Sequence, residues 1–193
     1  MRRDAVRSVR EAIRALSTLD IVDVRHGHGT YVGAMSLDPM VQALVFRGVF
    51  SPDGTLNALR EVVEVRLAPD LALAETIVGG AVGEDAAELS ALVDEMVEKA
   101  SRGESFLEAD RAFHTRLVAV TGNRLAVQLV ATFWDVHTAV IPELGIPVPE
   151  DIQHTAEAHG IMLAALRGDV AGYRLAVIEH YRPLQRSISA ATA

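Results

Sequence analysis

Asp110 and His114 stand four residues apart in the stretch ESFLEADRAFHTRLVAV, whose apolar residues recur at helical spacing. On a helix this spacing puts a carboxylate and an imidazole on one face, roughly 5–6 Å apart at Cβ, where both can reach one cation. His159 follows in a later helical stretch, in phase with Ile152, Ala156 and Leu163, and His180 in the last one, in phase with Tyr173, Val177 and Leu184. Three inward histidines on three helices, with one aspartate, form a hard-to-borderline donor set that suits Zn²⁺, Ni²⁺, Co²⁺ or Mn²⁺. The residues alone leave a second reading open, since an inward histidine is more often a hydrogen-bonded core residue than a ligand. His137 and His154 rank lower as ligands, because their helical phase is ambiguous and His154 lies near a helix start. The last two histidines, His26 and His28, bracket Gly27 in RHGHGTYVG, which could be a metal site, an ordinary turn or part of a nucleic-acid reader.

The elements that must position these groups are mostly helices. Val6, Val9, Ile13 and Leu16 recur at helical spacing near the start. The β-branched run DIVDV and the TYV after the glycines predict two short strands around a glycine-containing loop. Beyond SLDP, where Ser36 can cap the next helix, the chain reads as six or seven helices separated by SPDG, RG, TGN, IPVP and the tight RGD turn. Pro69 lies inside the long stretch 55–80, and an interior proline predicts a bend near Ala68. The expected architecture is all-α, an antiparallel helical bundle preceded by a short β-hairpin.

Bulk composition narrows the chemistry. The 193 residues suit one large domain, or one domain with a small appendage. Half of them are hydrophobic and only 5% aromatic, so the core must consist largely of Leu, Val, Ala and Ile. The absence of cysteine excludes disulfides and thiolate metal sites and fits a cytoplasmic setting. No apolar run is long enough to span a membrane, and the opening residues lack the basic-then-apolar pattern of a signal peptide, so none is expected. The net charge is −8, but residues 1–33 hold six arginines against four acidic residues. A small basic head on an acidic body predicts that only the head approaches a polyanion.

Two stretches together carry a family likeness. VREAIRALSTLDIVDVRHGHGTYV resembles the C-terminal half of the winged helix-turn-helix of the GntR family of bacterial transcription regulators, matching at Val9 to Ile13 and at Arg25, Gly27, Gly29, Thr30, Tyr31 and Val32. The segments LREVVEVRLAPDLALAE, ADRAFHTRLVAVTGN and HGIMLAALRGDVAGYRLAVIEH resemble the helical FCD effector domain of its FadR-like branch. The resemblance implies that RHGHGTYV is the wing, whose glycines let the hairpin backbone approach the DNA minor groove. It implies that Arg7, Arg10 and Arg14 of the recognition helix, with Gly27, His28 and Gly29 of the wing tip, contact DNA. It also implies that Asp110, His114, His159 and His180 hold a divalent metal, Zn²⁺ or Ni²⁺ foremost, and that Arg66 takes a small carboxylate effector bidentately. Arg66 has an alternative role as a surface salt bridge to Glu61 or Glu64.

The sequence departs from the family pattern at two positions and at its start. Val6 stands where an arginine is usual, and Asp20 where a glycine is expected after the recognition helix. The two helices that precede the recognition helix in the family have no counterpart here. Residues 1–34 are therefore expected to form a partial winged helix (recognition helix and wing only), and residues 35–193 the effector and metal-binding domain. Operator binding is expected to be weakened or lost if the chain starts at Met1, and restored by an upstream start. The expected function is a homodimeric, ligand-responsive, DNA-binding transcription regulator, with no membrane partner and no enzymatic activity. The alternatives are a metal-dependent sensor that no longer binds DNA and, less favoured, a metalloenzyme; the latter lacks a spare general base beside Asp110 and His114.

Overall fold

The computed structural model describes residues 2–50, 55–140 and 152–191. It opens with α1 (Arg2–Thr18) and an antiparallel hairpin of β1 (Val22–Arg25) and β2 (Gly29–Val32), in register from Val22 opposite Val32 to Arg25 opposite Gly29. Eight helices follow: α2 (Asp38–Phe50), α3 (Thr55–Ala72), α4 (Ala74–Gly80), α5 (Glu84–Ser101), α6 (Leu107–Ala119), α7 (Arg124–Val140), α8 (Ile152–Ala165) and α9 (Val170–Ala191). The IPVP connector and Pro142 lie outside the described residues. Among the described residues, no helix is long and apolar enough to cross a membrane.

The hairpin is closed by backbone chemistry that the sequence announces. Gly27 and Gly29 have φ of 79° and 112°, values that L side chains rarely adopt. Asp20 takes the left-handed conformation, φ 56°, at the place where a glycine was expected. Asp and Asn tolerate this region better than most residues, and here the side chain adds a bond, since Asp20 Oδ2 accepts the Ser36 N–H at 2.9 Å. Asp20 O accepts the Met35 N–H, also at 2.9 Å. Gly33 is required for the same closure, because a Cβ there would clash with the backbone oxygen of Asp20. The apolar stripe of α1 is open among the described residues, with Val6 51% and Val9 58% exposed.

The helical body follows its apolar periodicity. Leu89, Val93, Met96 and Ala100 form the buried stripe of α5, and Glu84 and Asp85 in its first turn complement the helix dipole. α6 buries Ala109, Asp110, Phe113, His114, Leu117 and Val118, so the two candidate ligands lie within its apolar face. α8 and α9 pair through the RGD turn, where Gly168 has φ 106° and Asp169 Oδ1 caps α9 by accepting the Gly172 N–H at 2.8 Å. α5 packs on both α6 and α8, α3 on α9 and α7, and α7 also on α6 and α2. One core runs through these contacts, with Val63, Ile77, Leu89, Met96, Phe113, Leu117, Met162, Tyr173 and Val177 at its centre.

Stretch 55–80 differs from the expected single bent helix. It divides at Leu73 into α3 and α4, one turn past Pro69, while the helix continues through the proline itself. Pro69 has no N–H to donate, but its carbonyl accepts the Leu73 N–H at 2.9 Å. The interruption thus falls downstream of the ring.

Candidate metal centre

Four side chains from three helices converge in the core. Asp110 and His114 come from α6, His159 from α8 and His180 from α9; all are buried, and one ligand atom from each lies within 4.8 Å of the others. Asp110 Oδ1 is 3.0 Å from His159 Nε2 and 3.3 Å from His114 Nε2, and His114 Nε2 is 3.1 Å from His180 Nε2. Nδ1 of His159 donates to Thr155 O at 2.8 Å. With its proton there, a neutral His159 ring presents a lone pair from Nε2 to a carboxylate oxygen. Facing lone pairs at these separations need a cation or proton between them. Donors about 2.0–2.2 Å from one ion lie roughly 3–3.5 Å from each other, the separation of the three pairs above, and the whole set lies within 4.8 Å. The donor set therefore fits one divalent ion of the borderline class. The edges of Phe113 and Phe106 wall the cluster at His159, with ring centroids 5.1 and 6.4 Å away.

Burial and mutual charge set the protonation of this cluster. Burial pushes His180 well below the ordinary imidazole value; neighbouring His159, His114 and Arg66 add to the shift, while Asp110 opposes it. Burial alone would raise Asp110, but His159 and His114 outweigh it and hold the carboxyl well below its usual range. Both groups therefore bind fewer protons in the folded metal-free chain than in the unfolded one, so stability falls as pH falls. The His180 contribution is lost below the unfolded imidazole value of about 6.5, and the Asp110 contribution below the unfolded carboxyl value of about 3.9. We expect the urea midpoint of chelator-treated protein to be lower at pH 5.5 than at pH 7.5, with the slope unchanged. An equal or higher midpoint at pH 5.5 would contradict this assignment.

Arg66 lies in the buried stripe of α3 and is 2% exposed. Its guanidinium carbon is 3.9 Å from the Trp134 ring centroid and 5.3 Å from that of Tyr181, the neighbour of His180. Nε and Nη2 have no hydrogen-bond partner. The alternative surface salt bridges are taken by other arginines: Glu61 pairs with Arg47 and Glu64 with Arg60. A buried guanidinium left unpaired is costly, and a planar carboxylate is the geometric complement of its two free N–H groups.

The remaining candidates lie apart from this centre. Arg7, Arg10 and Arg14 are exposed on α1, with Arg14 paired to Glu11 at 2.9 Å. Gly27, His28 and Gly29 form the exposed hairpin turn, where the Tyr31 hydroxyl donates to His28 O at 3.0 Å and Arg25 stacks over the Tyr31 ring. His26 and His28 are exposed on that turn and His154 is exposed on α8, while the His137 side chain lies outside the described residues. One buried residue escaped the sequence reading. Asp70 is 1% exposed, accepts the Tyr181 hydroxyl at 2.9 Å and faces His114 Nδ1 at 3.9 Å. Its signal was its phase, seven residues on from the buried Val63 and four on from the buried Arg66 in one stripe.

The FCD domain profile matches residues 61–183, a span that includes Arg66, Asp110, His114, His159 and His180. Over 109 residues the chain is 46% identical to a protein of Micromonospora viridifaciens named as a transcriptional regulatory protein, NedR; the match spans 56% of this chain and 78% of that one. It is 22% identical over 166 residues to the galactonate operon transcriptional repressor of Escherichia coli (strain K12), spanning 84% of this chain and 72% of the relative. Among solved structures, a GntR protein of Streptococcus agalactiae shares the fold with a TM-score of 0.69 at 24% identity, over 93% of this chain and 80% of that one. E. coli McbR/YncC shares it with a TM-score of 0.59 at 17% identity, over 95% and 78% of the two chains. The chain belongs to the FCD-domain family, a family of transcription regulators and not of enzymes.

Proposed function

We propose that this regulator couples a metal-dependent effector site in residues 35–193 to a DNA-binding head in residues 1–34, and that it works as a cytoplasmic homodimer. The observation that carries the reading is the convergence of one ligand atom each from Asp110, His114, His159 and His180 within 4.8 Å, beside a buried guanidinium with two unpaired nitrogens. Asp110, His114, His159 and His180 would hold one Zn²⁺ or Ni²⁺. The ion supplies a positive centre that attracts an organic carboxylate, and Arg66 orients that carboxylate from the α3 side. Trp134 and Tyr181, which flank Arg66, exclude water from the pair and strengthen it. A carboxylate drawing Arg66 inward acts on α3, which packs on both α7 and α9. It shifts DNA affinity only by the difference in its own affinity for two arrangements of these helices. That the M. viridifaciens relative is named as a transcriptional regulatory protein and the E. coli relative as an operon repressor supports an operator as the partner. Arg7, Arg10 and Arg14, spaced three and four apart on α1, would face the DNA, with the Gly27–Gly29 turn beside the minor groove.

Fluorescence anisotropy with operator-containing DNA from the surrounding genome, across a salt series, tests the coupling. Carboxylates that stabilise the metal-loaded protein should change DNA affinity, and should lose that effect when the metal is removed. Arg10→Ala should cost about 1–3 kcal/mol of operator binding if Arg10 reads a base, or reduce the salt slope by about one if it meets a phosphate. Unchanged affinity and slope would remove Arg10 from the interface. The alternative is a metal-dependent sensor without DNA binding; DNA affinity that stays at the non-specific level, about 10⁻⁴–10⁻⁶ M at physiological salt, would select it.

A further inference from the structure

Of the three histidines in the cluster, His159 has its ring set by its own helix, through the bond from Nδ1 to Thr155 O. His114 has no such bond. Its Nε2 points at His180 Nε2 and Asp110 Oδ1, at 3.1 and 3.3 Å, while its Nδ1 is buried without a hydrogen-bond partner. If Nε2 is to offer a lone pair, the ring proton must sit on Nδ1, and in a side chain 1% exposed it needs an acceptor inside the protein. The group facing Nδ1 is Asp70 of α3, whose Oδ2 lies 3.9 Å away. Oδ2 already accepts the Tyr181 hydroxyl, and Oδ1 is buried with no partner. A donor without an acceptor thus lies opposite a carboxylate with an unused oxygen. The separation exceeds a hydrogen bond by less than 1 Å, a gap that a small rotation of either side chain or one bridging water closes.

We propose that Asp70 is a positioning residue of the metal centre: its carboxylate holds the Nδ1–H of His114 and so turns Nε2 toward Asp110, His159 and His180. The proposal rests on the metal-site reading above. A carboxylate behind a ligating imidazole fixes the tautomer and ring orientation and makes the ligating nitrogen more basic. Asp70 is anchored to α9 through Tyr181, next to His180, and lies one turn from Arg66 on α3. One buried residue thereby ties the metal ligands of α6 and α9 to the helix that carries the arginine.

Zinc affinity of the full chain, measured by competition with a chromophoric chelator, tests the role. Asp70→Asn keeps the shape and removes the charge, and should weaken Zn²⁺ binding about 10–100-fold. Tyr181→Phe removes the bond that anchors Asp70 but leaves its charge, and should weaken Zn²⁺ binding less than Asp70→Asn does. Long-range ¹⁵N–¹H spectra of the zinc-loaded parent should show His114 bound through Nε2, with a slowly exchanging proton on Nδ1. An Asp70→Asn variant that binds zinc like the parent would overturn the proposal while leaving the metal site standing. So would an equal loss in Tyr181→Phe, which would attribute the effect to disturbance of the buried Asp70–Tyr181 contact. A parent that takes up no zinc overturns the metal site and this role together. If Asp70→Asn does not fold, the His114 spectrum of the parent decides: ligation through Nδ1, or a freely exchanging proton there, refutes the assignment.

Discussion

Replacing His180 by alanine is expected to reduce bound metal from one ion per chain to none. His180 Nε2 closes the cluster from α9, 3.1 Å from His114 Nε2, and no other donor on that helix faces the centre among the described residues. Loss of a direct ligand should exceed the roughly 10–100-fold that loss of an outer partner costs. In the parent, zinc at about 1,000 times its Kd stabilises the fold by about 4 kcal/mol, or roughly 8–16 °C for a chain of this size. The variant should show no such shift. His159→Ala should abolish binding as well, but it also removes the bond to Thr155 O and the edge contact with Phe113, so its metal-free form should be less stable than that of His180→Ala. His180 Nδ1 has no partner to lose. Elemental analysis and thermal melts with and without zinc check both. Stoichiometric metal in His180→Ala would remove this histidine from the site, and failure of the parent to take up Zn²⁺ or Ni²⁺ after dialysis would end the metal reading altogether.

Arg66→Ala should weaken a carboxylate effector by about 2–5 kcal/mol, the range for truncating one partner of a buried charge pair, which is roughly 30-fold or more in Kd. Metal content should be unchanged, since Arg66 is not among the four converging donors. In the ligand-free protein the guanidinium is buried with two nitrogens unpaired, held against Trp134 at 3.9 Å. Removing it gives up that stacking but also a buried charge with two unpaired nitrogens, so the ligand-free fold should lose little. Arg66→Lys should recover only part of the affinity, because an ammonium cannot bind a carboxylate bidentately. Thermal-shift screening of small organic acids on the zinc-loaded proteins checks the set. Equal stabilisation of parent and Arg66→Ala by every acid that binds would place the effector elsewhere.

Much of the fold and the centre was legible because it depends on local periodicity. Asp110 and His114 share a face through their spacing alone, and the phases of His159 and His180 within α8 and α9 require them to be buried. RHGHGTYVG required a hairpin because its glycines permit the positive φ that the turn needs. The division at Leu73 was not legible, because a proline marks an interruption without stating which carbonyl beyond it will still find a donor. Asp70 was missed for a different reason. Its phase puts it on the buried face of α3, but that phase does not name its partners, and its meaning comes from the packing of α3 on α9 and the approach of α6, which put it 3.9 Å from His114 and in bond with Tyr181. The sequence by itself determined which residues lie on the buried face of each helix, because that follows from the 3.6-residue repeat. Only the tertiary structure decided that an aspartate, three histidines and an unpaired arginine on four helices face one another. Distances between helices are set by how their side chains interlock, and no single segment contains that information.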